Sequence, residues 1–409
     1  MVRSLPSEPD ARSDPAGSAG PDADLLQRYA PYLQYDSLES FRADSAAVLP
    51  EQFFEDGSTW SYANSLKRKG GKLIATARPA QGQKRLELGF LGRKYAGGRA
   101  ASRDDYLDEA GRRYVEDARR MHADPRYGDR IYGHAVRESD GTTWLQYFFF
   151  YYYNNKNFLG IGLHEGDWEM IQLRLGPEGL PDAATFAQHD TGEALAWTEL
   201  ELRPSPEGRV PVVYVGRGSH ASFARRGEHW PLFPLPPDYA DGKGPRIRPT
   251  LEVISDAGPR WVRWPGKWGS SDASPRGPST KKQWRSPSAY HAELAARAIS
   301  ARAAPTRAPA APPAPTVSAR RVEDHVVVGY RFPPLRGGAA RPDRLVVSVD
   351  TPDDDLPPSS QAFNVRAPSG VLAHPAPLQE DRYLVRVVAY SEDGVQSRMV
   401  SVDVGARGA

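Results

Sequence analysis

The chain has 409 residues, enough for two domains and a small further element. Its 53 Lys and Arg against 51 Asp and Glu leave a net charge of +2, which argues against a polyanion binder working by bulk charge, so no nucleic-acid partner is expected. Cys is absent, which removes disulfides, thiolate metal ligands and thiol nucleophiles, while 37 Gly and 38 Pro favour short strands and turns over a helical bundle. No run reaches the ~18 apolar residues of a membrane helix. No ordinary signal peptide is visible before Leu25. The chain is expected to be soluble, cytoplasmic by default or exported by a non-standard route.

Residues 1–23 are rich in Ser, Pro, Asp, Ala and Gly. They cannot bury enough surface to offset their ordering entropy, so a disordered N-terminal arm is expected. Leu25, Leu26, Tyr29 and Leu33 then recur at helical spacing. Short strands are expected over 72–76 and 85–90. The period changes after that: Tyr106, Leu107, Ala110, Tyr114, Val115 and Ala118 mark one face of a helix over 102–123, with Ser102 at its N-terminus.

Strands follow over 130–138 and 143–153, joined by an Asp140-Gly141 turn, a strong hairpin signal. More are expected over 166–175, 184–189, 194–203, 210–215 and 250–255. The fold class predicted is mainly β: an antiparallel β-sandwich with helical insertions over 24–290. Residues 291–316 read as the end of an Ala-rich helix and a Pro/Ala linker. Residues 317–405 read as a separate small β domain, with strands over 322–332, 344–349, 383–390 and 397–404.

The chemistry-bearing stretch begins at the aromatic run Tyr147 to Tyr153, followed by Asn154-Asn155 and by His164-Glu165-Gly166-Asp167-Trp168-Glu169. Continuous apolarity implies cover on both faces. The run is either a central sandwich strand or an aromatic platform for a ligand, which makes Tyr153 and Trp168 candidate ligand-binding residues. Asp167 and Glu169, two apart on a strand, share a face. Two acids on an otherwise apolar face need compensation. A hard divalent cation, Mg²⁺ or Ca²⁺, would supply it, with His164, Asn154 and Asn155 in reach as further ligands. Pairing of the two acids with Arg, and a turn-capping His164, is the other reading.

Gly216-Arg217-Gly218-Ser219-His220 does not satisfy the Gly-x-Ser-x-Gly pattern of a nucleophile elbow. His220 and His189 are either turn histidines or site-lining candidates. Trp261, Trp264 and Trp268, interleaved with Arg260, Arg263 and Lys267, either close the core or bind sugar rings or interfacial lipid.

Three resemblances are carried by these residues. Tyr151 to Asn155, His164 to Glu169, Gln188-His189 and Gly218 to Ser222, in that order, resemble the vacuolar protein sorting-associated protein 62 family over about residues 25–290. His164, Asp167 and Glu169 are also similar to the signature heptapeptide of the necrosis- and ethylene-inducing peptide-like cytolysins. That likeness implies a β-sandwich holding a divalent cation at these three residues, with Ser219 and His220 as neighbours. The upstream Asp of that pattern is not matched, because Asn154, Asn155 and Lys156 occupy the region. The stretch from Tyr383 to Tyr390, with Asp393-Gly394 and Gln396-Ser397, resembles a fibronectin type III domain, which implies a spacer or binding accessory.

The function expected is divalent-cation-dependent binding of a glycan or lipid headgroup, with peripheral membrane contact or a cytolysin-like role as its setting. The alternative is a metal-dependent phosphoester or glycoside hydrolase at the same site, with His220 or His189 as general acid or base.

Overall fold

The longest strands form where β-forming side chains are densest. Thr143–Asn154 holds the aromatic run, and every residue in it but Thr143 is buried. It pairs antiparallel with His164–Leu175 along its whole length, Thr143 opposite Leu175 and Asn154 opposite His164. A computed structural model of the chain describes residues 20–55, 61–156, 162–188, 191–229, 238–297, 311–322, 325–350, 359–375, 382–392 and 395–405.

These two strands are the centre of a six-stranded sheet. Its order is Thr191–Ala196, Pro181–Gln188, His164–Leu175, Thr143–Asn154, Arg130–Arg137 and Thr250–Val253. The expected hairpin sets Arg137 opposite Thr143. Thr250–Val253 joins the edge in parallel, which takes a long crossover. A second sheet runs Leu202–Ser205, Gly208–Val215, Tyr32–Gln34, Arg246–Ile247, with Ser222–Phe223 on Gly208–Val215. The chain is thus mainly β, as its patterning predicts, although Tyr32–Gln34 also pairs in parallel.

Several local expectations give way to tertiary pairing. The helix over 102–123 is a strand, Asp105–Asp108, followed by a shorter helix, Tyr114–His122. The strand forms because Ser65–Arg68 pairs with it, Leu66 opposite Leu107, with Arg68 Nε 2.6 Å from the Asp105 carboxylate. Residues 85–90 make one bridge, Arg85 to Thr76, and a 3-10 turn at Leu88–Phe90 rather than a strand. The strand over 194–203 is broken by a 3-10 turn at Trp197–Glu199, where Glu199 accepts a hydrogen bond from Ala196 N at 2.8 Å. At the N-terminus the helix Pro21–Tyr29 takes in the last residues of the expected arm, and Leu33 falls in a strand. Residues 1–19 lie outside the described residues.

The sheet unit does not end at 290. The helix Pro287–Arg297 buries Tyr290 and Leu294, and Trp284 stacks on His134 with ring centres 3.6 Å apart. The stretch read as linker therefore starts as part of the first core. Trp261, Trp264 and Trp268 are each at most 3% exposed and close that core.

The C-terminal unit is a three-plus-four-stranded sandwich. Thr316–Val322, His325–Arg331 and Ser369–Pro375 form one sheet. Ser359–Asn364, Pro342–Asp350, Tyr383–Ser391 and Val400–Val404 form the other. The strand expected over 397–404 starts at Val400, and Asp393-Gly394 lie outside the described residues. The unit does not stand off as a spacer. Its Val388 and Met399 join the core of the first unit. Its buried Arg386 pairs with Asp350 at 2.7 Å and lies 4.5 Å over the Tyr114 ring, and Asp350 also pairs with Arg112 of the first unit at 2.7 Å. Among the described residues no helix is long and apolar enough to cross a membrane.

Candidate functional site

The register of the two central strands decides which side chains meet. Tyr151 lies opposite Asp167, Phe149 opposite Glu169 and Asn154 opposite His164. Strand alternation puts Asp167 and Glu169 on the face of Tyr151, and Trp168 on the other. The Trp168 ring packs among Phe150, Trp268, Tyr132 and Trp261, with centres 5.0–6.0 Å away. Trp168 is therefore a core residue rather than a ligand-facing one. Tyr153 is likewise 2% exposed, stacked on Tyr114 at 3.6 Å, so neither ring forms the expected platform.

His164 opens the acidic strand, partly exposed. Its Nδ1 donates to the Gly166 carbonyl at 2.9 Å, which leaves Nε2 with the lone pair. Burial holds this imidazole below its usual range, hence neutral. Gly166 itself sits at φ +59, and a Cβ there would lie 2.0 Å from the Trp268 carbonyl oxygen, so the strand can bend at this point only with Gly.

Asp167 meets a residue from a distant loop. His220 Nδ1 lies 3.0 Å from Asp167 Oδ2, and His220 Nε2 lies 3.5 Å from Glu39 Oε1. The His220 side chain is fully buried and stacks on Tyr151, ring centres 4.1 Å apart. Burial alone would push this imidazole down, but the Glu39 and Asp167 carboxylates override it and raise it to about 9. Burial works against both carboxylates too, yet the hydrogen bond and charge of His220 hold Asp167 and Glu39 below their usual range. An imidazolium clamped between two carboxylates is the result. Neither reading of the sequence held this arrangement: His220, not Arg, takes up the charge of Asp167.

The loop carrying His220 is built for that contact. Gly218, at φ +72, donates its N–H to Glu39 Oε2 at 2.6 Å, and Ser219 Oγ donates to Asp238. Arg217 forks onto Asp36 at 2.7 and 3.0 Å and donates to the Gln396 carbonyl of the C-terminal unit at 3.1 Å. Ser219 is thus a turn-fixing residue. His220 has a carboxylate at each ring nitrogen, which leaves it without the free lone pair of a general base. His189 lies outside the described residues.

The two asparagines differ. Asn154 turns Nδ2 to Asp167 at 3.4 Å and accepts from Lys156 N with its oxygen at 3.1 Å. Asn155 keeps its Oδ1 buried with no hydrogen-bond partner. Glu165 points to Tyr114 Oη at 3.1 Å and Ser270 N at 3.0 Å. Burial, then the neighbouring Asp108, raise its carboxyl to about 7.

Ligand atoms of His164, Asp167 and Glu169 do not all come within 4.8 Å of one another. Among the described residues, the group that meets that distance is Asp44, His122 and Asp129. Glu39 and Asp44 were missed by sequence reasoning because they lie in a loop of no regular period far along the chain from the central strands, and Asp129 because it stands alone among turn residues just before a strand. His122 offered one signal, as the last residue of a helix, but none for its partners.

No family model matches the chain. It is similar to vacuolar protein sorting-associated protein 62 of Saccharomyces cerevisiae, 28% identical over 159 residues, covering 30% of this chain and 33% of the yeast protein. It is similar to TDA6 of the same yeast, 27% identical over 161 residues, covering 30% and 34%. The chain thus spans about a third of the length of the curated relatives it matches. Among solved structures it aligns with one described as a toxin fold for microbial attack and plant defense, at a TM-score of 0.29 and 10% identity over 68% of this chain and 90% of that one. It aligns with NLPPya in complex with glucosamine at a TM-score of 0.25 and 12% identity, over 38% and 64%. The resemblance to the vacuolar protein sorting-associated protein 62 family drawn from the motifs is present in the two yeast alignments.

Proposed function

We propose that the chain is a binding module that takes a divalent cation, Mg²⁺ or Ca²⁺, at His164, Asp167 and Glu169, and through it the oxygens of a glycan or lipid headgroup. The observation that carries this reading is the pair His164 and Asp167 at the end of the central hairpin, with Glu169 two residues beyond Asp167 on its face; a cation would have to draw the three together. His164 presents a neutral Nε2, fixed by its Nδ1 hydrogen bond to a carbonyl, as metal-ligating imidazoles are. Asp167 is held ionised beside it. The buried Asn155 Oδ1 has an acceptor pair with no donor. Such an orphan costs about 1–3 kcal/mol, and a cation or its bound water offsets that cost. Oxygen donors with one imidazole suit a hard ion that keeps several waters, and those waters are the positions a hydroxyl or phosphate oxygen would take.

The cation competes with the His220 proton for Asp167, so binding strengthens as the pH rises. The hydrolase reading finds less support, since both nitrogens of His220 face carboxylates.

The test is calorimetric titration of chelator-stripped protein with CaCl₂ and MgCl₂, beside Asp167→Asn/Glu169→Gln. Saturable binding by the wild type and its loss in the double variant are expected, with EDTA lowering the melting temperature of the wild type alone. Liposome flotation and glycan-array binding, with and without EDTA, then identify the headgroup. Equal cation uptake by both proteins would overturn the assignment.

A further inference from the structure

A second cluster lies outside the central hairpin. Asp44, His122 and Asp129 come from three separate segments, and one ligand atom from each lies within 4.8 Å of the other two. Each position is fixed by the fold. The backbone around Asp44 is locked from both sides: Asp44 N donates to the Phe150 carbonyl at 3.0 Å, and Ser45 N to the Tyr127 carbonyl at 2.7 Å. His122 ends the helix Tyr114–His122. Asp129 directly precedes Arg130–Arg137, and its N–H donates to Asp44 Oδ1 at 2.9 Å.

The cluster is lopsided in charge and in satisfaction. His122 Nδ1 lies 2.8 Å from the same Asp44 Oδ1. That pairing answers one carboxylate. The second, Asp129, is partly exposed as a residue, yet its Oδ1 is buried with no hydrogen-bond partner. A buried acceptor of this kind is rare and calls for an ion or water. The Asp44 side chain is 4% exposed and that of His122 is 30% exposed. Both line a cleft of about 290 Å³ whose rim carries Arg42, Arg119 and Arg398. The cleft leaves space for the waters or the anion that complete a coordination shell.

We propose that Asp44, His122 and Asp129 form a divalent transition-metal site, of the Zn²⁺ or Mn²⁺ class, separate from the Asp167 region. One imidazole and two carboxylates, with no further protein oxygen in the group, are too few donors for Ca²⁺, which takes about six to eight oxygens, and match the three protein ligands of an open Zn²⁺ site. Three protein ligands with the remaining positions facing a cleft leave the metal open to an exogenous ligand. The guanidinium groups on the rim favour an oxyanion there.

The experiment uses the full chain, stripped of metal, loaded with Zn²⁺ and desalted, with zinc measured by mass spectrometry. The variants are Asp129→Asn and Asp167→Asn. Asn tolerates the left-handed backbone of Asp129 (φ +47) and keeps the N–H that Asp44 accepts, so the fold is retained. Asp129→Asn is expected to lose one equivalent of zinc that Asp167→Asn keeps, with affinity down by at least the roughly 10–100-fold that a lost outer-shell partner costs. A wild-type zinc content in Asp129→Asn would overturn the site. A second reading needs no variant: Mn²⁺ added to the wild type should broaden the imidazole NMR signals of His122 and spare those of His374. Unbroadened His122 signals at saturating Mn²⁺ would also refute it. Failure here leaves the Ca²⁺ and Mg²⁺ titrations of Asp167→Asn/Glu169→Gln untouched, so the two assignments stand or fall separately.

Discussion

The clamp on His220 makes stability depend on pH in a direction that can be worked out. Its imidazole rises from 6.5 to about 9 on folding, through the Glu39 and Asp167 carboxylates that overcome its burial. A group whose value is raised by folding stabilises the folded state fully below its unfolded value. That contribution is lost as the pH climbs through the folded one. At about 1.36 kcal/mol per pH unit, the loss between pH 6.5 and 9 comes to about 3 kcal/mol. Glu165 acts in the same direction at lower pH, since its carboxyl is raised from 4.5 to about 7. Above pH 7 His122, Glu109 and, toward pH 9.5, buried tyrosines such as Tyr132 and Tyr151 act in the same direction, so the difference between wild type and His220→Gln carries the His220 part. Urea unfolding followed by Trp fluorescence at pH 7, 8, 9 and 9.5 should show most of the drop in that range. His220→Gln should be less stable at pH 7 and lose less than the wild type over the same range, so the two curves converge with rising pH. Carbon-13 NMR of labelled imidazole reads the same titration directly. A His220 midpoint below pH 7, or wild-type stability flat from pH 7 to 9.5, would refute the clamp.

Two further outcomes follow from the packing. Gly166→Ala places a Cβ 2.0 Å from the Trp268 backbone at φ +59, so the hairpin end must shift; a loss of about 2 kcal/mol or more is expected in urea unfolding, and a wild-type midpoint would refute it. Arg386→Met removes the buried guanidinium shared by Asp350 and the Tyr114 ring, at a cost of about 3 kcal/mol. Calorimetry should then split one transition into two as the C-terminal unit uncouples; a single unshifted transition would show that the junction holds without it.

Local chemistry wrote the strands with the densest β-formers into the sequence. Tyr147 to Tyr153 had to be a covered strand, and Asp140-Gly141 had to turn it back on 130–137, because both signals act over a few residues. The shared face of Asp167 and Glu169 followed from a period of two. By contrast, the helix read over 102–123 failed at 105–108 because a partner strand, Ser65–Arg68, was available to pair with it. Propensity gives no account of a neighbour some forty residues away.

The site divides along the same line. Sequence alone named His164, Asp167 and His220 as the residues of interest, since imidazole and carboxylate types at close spacing are visible locally. Only the tertiary structure decided that Asp167 would face His220, that Glu39 would close the other side, and that Trp168 and Tyr153 would turn into packed cores. It also brought Asp44, His122 and Asp129 to one point. The physical reason is that a charge on a buried face must be answered by whatever group the fold carries to it, and that group comes from a segment whose position no local pattern records.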